Sequence, residues 1–97
     1  MRVRFTRPAL ADLEEAFAFI AERNPHAAAD VVEAVEGAVA ALARHPRLGR
    51  PGRVKGTREF VIAGTPFIAA YRETDETVGI LAVIHAARRW PDRFGEG

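Results

Sequence analysis

From Arg44 to Arg58 the chain carries six basic residues and no acidic one, broken by two prolines and three glycines. The heart of this stretch, Leu48 to Arg58, reads LGRPGRVKGTR. Proline lacks a backbone N–H and glycine is entropically costly to order, so neither a long helix nor a central strand can run through it. The segment therefore divides the chain. Upstream, apolar residues recur at helical spacing; downstream they gather in three short strand-like runs. A basic, irregular loop between two ordered halves is a natural place for an anionic partner.

A length of 97 residues fits one compact domain spanning 1–97. A chain of that size buries roughly 60–68% of its unfolded surface, enough for one modest core. With 48% hydrophobic and 28% charged residues it reads as globular rather than disordered. It has no cysteine, which removes disulfide frameworks and thiolate metal sites and suits a reducing cytoplasm. MRVRFTRP lacks the apolar stretch of a signal peptide, and no apolar run approaches the ~20 residues that span a bilayer. A cytoplasmic protein without membrane contact is expected.

The net charge is only +1, but it is unevenly spread. Asp12 to Glu36 holds seven acids and one base, Arg23. Two readings follow: an acidic, solvated helix face beside a basic loop, or a working anion-facing patch of Arg47, Arg50, Arg53 and Lys55.

Val3 to Phe5, flanked by arginines, alternates as a first strand does. Thr6 is placed to cap a helix with Pro8 in its first turn. Leu10, Leu13, Phe17 and Ile20 then form an apolar stripe ending near Arg23. Asn24-Pro25 is a boundary, with asparagine as cap and proline in the first position of a second helix. Ala28, Val31, Val32, Val35, Val39 and Leu42 form its stripe. Gly37 within it is expected to let the helices cross closely, since glycine there costs about 1 kcal/mol against alanine. Pro46 stops the helix, leaving a helical hairpin.

Phe60–Ala63, Phe67–Glu73 and Val78–Ala86 are the expected strands, and their short turns make them antiparallel neighbours. The last is apolar in both phases: Val78, Ile80, Ala82 and Ile84 in one, Leu81 and Val83 in the other. One face suits the helices. The second needs cover from Trp90 and Phe94 or from another chain. The expected fold is α+β: N-terminal strand, α-helical hairpin, then a three-stranded antiparallel meander.

That order resembles the RelE/ParE superfamily of bacterial toxins. FTRPALADLEEAFAFIAERNP is similar to the family's first strand, first helix and helix turn. HPRLGRPG followed by TREFVI resembles the ParE-side loop and second strand; FIAAYRE and VGILAVIHAARRW resemble the third and fourth. The resemblance implies the toxin of a type II toxin–antitoxin pair, wrapped by a cognate antitoxin, reaching operator DNA only through that antitoxin, and using no cofactor. It also implies one of two activities. RelE-like members cut messenger RNA on the ribosome; ParE-like members are associated with poisoning of DNA gyrase.

For the nuclease reading, a metal-independent endoribonuclease, the resemblance points to His85 as acid–base histidine and to Arg58 and Arg72 as phosphate holders. Histidine titrates near neutral pH, and arginine grips phosphate through paired hydrogen bonds. The plainer alternatives are a strand-end histidine bonded to backbone and arginines paired with Glu59 or Glu73. Glu59 is a further candidate base, or simply a solvated strand glutamate. Nuclease members carry several loop lysines and a tyrosine after the last strand. Here the loop has Lys55 alone, and the chain's single tyrosine, Tyr71, lies on the third strand. Arg88, Arg89 and Arg93 interleave with Trp90 and Phe94, a pattern that can grip a partner or pin the tail to the core. His26 and His45 have no spacing partner for a metal. The expectation is a ParE-side toxin that binds gyrase without chemistry of its own; alternatives are the nuclease and a non-toxic binding module on the same fold.

Overall fold

The computed structural model describes residues 1–94. It places β1 at Arg2–Phe5, α1 at Arg7–Arg23, a 3₁₀ turn at Pro25–Ala27, and α2 at Ala28–Arg44. Then come β2 at Arg50–Pro51, β3 at Arg58–Val61, β4 at Phe67–Glu73 and β5 at Thr77–His85. One sheet runs in the order β1-β5-β4-β3-β2. β1 is parallel to β5, and the other pairs are antiparallel.

Thr6 caps α1 as expected: its Oγ1 accepts the Ala9 N–H at 3.2 Å. The same hydroxyl donates to the Ile80 carbonyl at 3.1 Å, which ties the helix start to the last strand. The buried face of α1 differs from the expected stripe. Ala9 and Ala16 are buried, Leu13, Phe19 and Ile20 pack against the core, and Leu10 and Phe17 remain 46% and 37% exposed. The pattern of large side chains overlooked two alanines, whose small size suits the close approach of helix to sheet.

The hairpin turn also differs. Asn24 closes α1 through its backbone N–H to the Ile20 carbonyl, and its side chain caps nothing. Proline at the next position starts a 3₁₀ turn, so α2 begins only at Ala28. Val31 and Leu42 are buried with Ala34 and Val35 against the core, whereas Val32 is exposed. Gly37 does not serve a helix crossing: a Cβ placed on it meets nothing within 4 Å.

β3 lies two residues earlier than the expected Phe60–Ala63, and two further features of the sheet were not foreseen. The basic loop contains β2, whose Arg50 lies opposite Glu59. Proline is tolerated there because an edge strand needs no donor on its outer side. The second feature is a bulge. Ala70 faces Ala82 but Tyr71 faces Ile80, so Leu81 is an extra residue in β5. The bulge resets the alternation and brings Val78, Ile80 and Val83 into one core with Phe67, Ala69 and Tyr71. On the opposite face Ile68, Ala70 and Ala82 are also at most 5% exposed. The described chain thus buries the middle of its second sheet face, while Val61 at the β3 end of that face stays 58% exposed.

Candidate functional site

The basic segment is anchored from beneath by Tyr71, which has no exposed surface. Its hydroxyl donates to the Pro46 carbonyl at 2.7 Å and accepts the Gly49 N–H at 2.9 Å. Burial raises the Tyr71 pKa, offset in part by the Gly49 N–H and the Arg58 charge. The phenol therefore stays protonated, as a donor must. Gly49 is required by this approach: a Cβ there would lie 2.7 Å from both the Glu59 carbonyl oxygen and the Tyr71 hydroxyl.

Glu59 organises the next turn. Far from being solvated, it is 4% exposed on the outer face of β3. Its Oε1 accepts from Arg50 Nη2 at 2.9 Å and lies 3.6 Å from Arg53 Nε, while Oε2 accepts the Arg53 backbone N–H at 2.7 Å. Burial pushes its pKa up, but the Arg53 backbone bond, the Arg50 side-chain bond and the two arginine charges together bring it below the ordinary value of 4.5. A carboxylate so held is a poor general base.

Of the four expected patch residues, Arg47 pairs with Glu73 at 3.3 Å, and Arg50 and Arg53 pair with Glu59. Lys55 is exposed and makes no ion pair among the described residues. All three arginines keep exposed guanidinium surface, with side chains 78%, 61% and 44% accessible. The patch is thus both structural and outward-facing.

The three nuclease candidates do not converge. Arg58 donates to the Gly49 carbonyl at 2.8 Å and bonds neither Glu59 nor Glu73, so it braces the loop. It sits opposite Tyr71, whereas His85 sits opposite Phe67, four residues away along β4. At about 3.3 Å per residue that is ~13 Å of strand, with a further strand between them. Arg72 pairs across from Gly79 and points to the outer face, away from His85 on the helix side. His85 packs edge-on against Phe67 and Phe19, with ring centroids 5.3 and 6.1 Å away, and its Nδ1 accepts the Ala87 N–H at 3.1 Å.

Loop and tail lie thirty residues or more apart in the sequence. The structure joins them: the Arg53 guanidinium lies 3.9 Å from the Trp90 ring centroid, and Trp90 meets Phe94 edge-on at 6.4 Å. Arg88 and Arg89, earlier in the tail, are exposed. A groove of about 370 Å³ between the hairpin and the β3–β4 turn, walled by Phe19, Ile20, Val31 and Pro66, had no sequence signal, because its walls come from three distant segments. Among the described residues no group of three metal-ligating side chains occurs. No helix there is long and apolar enough to cross a membrane.

A helical hairpin laid on a five-stranded sheet with a basic loop at its far edge is the build of small toxins from type II toxin–antitoxin pairs. A structure titled as the chromosomal ParDE toxin–antitoxin system of P. aeruginosa matches with a TM-score of 0.77 and 27% identity, over 88% of this chain and 95% of that one. The RelBE2 toxin–antitoxin complex of Mycobacterium tuberculosis matches with a TM-score of 0.57 and 36% identity, over 87% and 95%. The model of the ParE toxin of the type II toxin–antitoxin system parDE matches residues 3–90, and the chain belongs to that family. The candidate toxin Y4kP of Sinorhizobium fredii (strain NBRC 101917 / NGR234) is 49% identical over 90 residues, 93% of each chain.

Proposed function

We propose that this toxin acts by binding rather than by chemistry, with DNA gyrase as its target and a cognate antitoxin as its neutraliser. The observation that carries the reading is the dispersal of the nuclease candidates. Arg58 braces the Gly49 carbonyl through Nη1, Glu59 is held by Arg50 and Arg53, and His85 faces an aromatic wall. A phosphoryl-transfer site needs its acid–base group within hydrogen-bond reach of the held phosphate, and this register keeps those groups apart. What remains is an exposed cationic surface with an aromatic residue, which suits docking onto a protein partner. The antitoxin belongs to this reading because both structures compared above are toxin–antitoxin systems.

The test is direct. Purified protein should inhibit supercoiling by gyrase and leave ribosome-bound messenger RNA intact, and the co-expressed antitoxin should reverse the inhibition. Position-specific cleavage abolished by His85→Gln would establish the RelE-like reading instead; the 36% identity to the RelBE2 complex is the observation that favours it. Inactivity in both assays, with antitoxin binding retained, would mark a binding module that has lost toxicity.

A further inference from the structure

Two basic segments lie far apart in sequence, the loop at Arg47–Arg58 and the tail at Arg88–Arg93, yet one chain of contacts links them. It starts at Glu59 on the outer face of β3. The carboxylate holds Arg50 on β2 and both the backbone N–H and the side chain of Arg53. The backbone bond fixes where Arg53 leaves the loop, the ion contact at 3.6 Å draws its side chain toward Glu59, and its guanidinium carbon lies over the Trp90 ring, 3.9 Å from the centroid. The indole N–H is buried and has no acceptor among the described residues, so no hydrogen bond fixes the ring. Its aromatic contacts are the Arg53 stack and the edge of Phe94. An arginine stacked on an aromatic face is favoured most when it is partly desolvated and held in place.

We infer that Glu59 is a positioning residue that acts through Arg53 to dock Trp90, joining loop and tail into one composite cationic surface. Docking brings Trp90 of the tail against Arg53 of the loop, so the cationic surface of Arg50 and Arg53 continues onto the tail. The chemistry this surface fits is an acidic protein segment with an apolar residue to set against the indole. Such a partner gains from several preorganised charges at once, whereas a loose tail would have to be ordered at the moment of binding. The inference rests on the binding reading above only for the use of the surface. The docking itself is testable without any target.

The chain has a single tryptophan, so its fluorescence reports Trp90 alone. The measurements are emission maximum and acrylamide quenching on full-length protein, at temperatures where circular dichroism shows the native fold. Glu59→Gln keeps the shape of the side chain and removes its charge. Arg53→Ala keeps the backbone bond to Glu59 and removes the stack; because Arg53 is 44% accessible, this variant folds even if the first does not. Each is expected to red-shift the emission and increase quenching, the double variant to add nothing, and Arg53→Lys to restore part of the protection. A purely structural Glu59 would lower the melting temperature and leave native-state quenching unchanged; that result, or unchanged quenching in Arg53→Ala, overturns the inference. For the surface, binding of a poly-glutamate peptide carrying one leucine is expected to weaken in Glu59→Gln and Trp90→Ala to the same extent. Weakening in neither variant, or a preference for single-stranded DNA over the peptide, overturns the acidic-segment assignment. Intact coupling without gyrase inhibition supports this inference and removes the proposed target.

Discussion

Replacing Tyr71 with phenylalanine removes one oxygen and strands two backbone groups. The Gly49 N–H loses its acceptor in a buried position, and the Pro46 carbonyl loses its donor in a partly buried one. A buried group left unsatisfied costs about 1–3 kcal/mol; a carbonyl that water can reach loses only the net value of its bond, about 0.5–1.5 kcal/mol. Their sum, ~1.5–4.5 kcal/mol, is a large share of the 5–15 kcal/mol that holds an average domain together. At 4–8 °C per kcal/mol for a chain of this size, the melting temperature falls by at least ~6 °C. The ring stays in place, so the core keeps its volume and the urea m-value should not change. Urea unfolding followed by circular dichroism measures the loss, and amide exchange at Gly49 locates it. A loss below about 0.5 kcal/mol, with Gly49 still protected, would show that the loop is held by Arg58 and Glu59 and that the phenol is dispensable.

Gly49→Ala places a Cβ 2.7 Å from the Glu59 carbonyl oxygen, a backbone atom that cannot swing aside, so a loss of about 1–3 kcal/mol in thermal unfolding is expected. The Glu59 pKa is lower folded than unfolded, so its contribution is fully present above ~4.5 and disappears as pH falls through the lower folded value. Urea midpoints between pH 3 and 6 should show that acid limb in the parent and a flatter one in Glu59→Gln. Arg47→Ala opens a solvent-exposed ion pair, so stability should stay within about 0.5 kcal/mol while partner affinity falls, as calorimetry on the antitoxin complex would register. His85→Gln should leave gyrase inhibition unchanged, because the imidazole serves the Phe67 and Phe19 wall.

Element order and most boundaries were legible because they rest on short-range chemistry. Thr6, Pro46 and the Gly64 turn, where φ is +75°, act within a few residues of themselves. What escaped were effects that require a distant partner. The burial of Ala9 and Ala16 depends on how the helix is rotated against β5. The role of Leu81 as the bulge residue depends on pairing with β4. Arg50 and Pro51 form a strand only because Glu59 lies opposite. The candidate site divides the same way: its cationic residues stood out by type, but their fixing by Glu59, and the meeting of Arg53 with Trp90, exist only once residues 50, 53, 59 and 90 are brought together.

The parallel pairing of β1 with β5 also governs timing. Thr6 bonds the Ile80 carbonyl across 74 positions, and β5 lies inside the sheet, between β1 and β4. While the chain is being synthesised, β1 and α1 emerge early but have nothing to close against until residues 77 to 83 follow. Closing so long a loop is slow, and the contacts that repay it come last. Until β5 is made, β1 has no strand to pair with, and the sheet that carries the basic loop closes when β5 arrives.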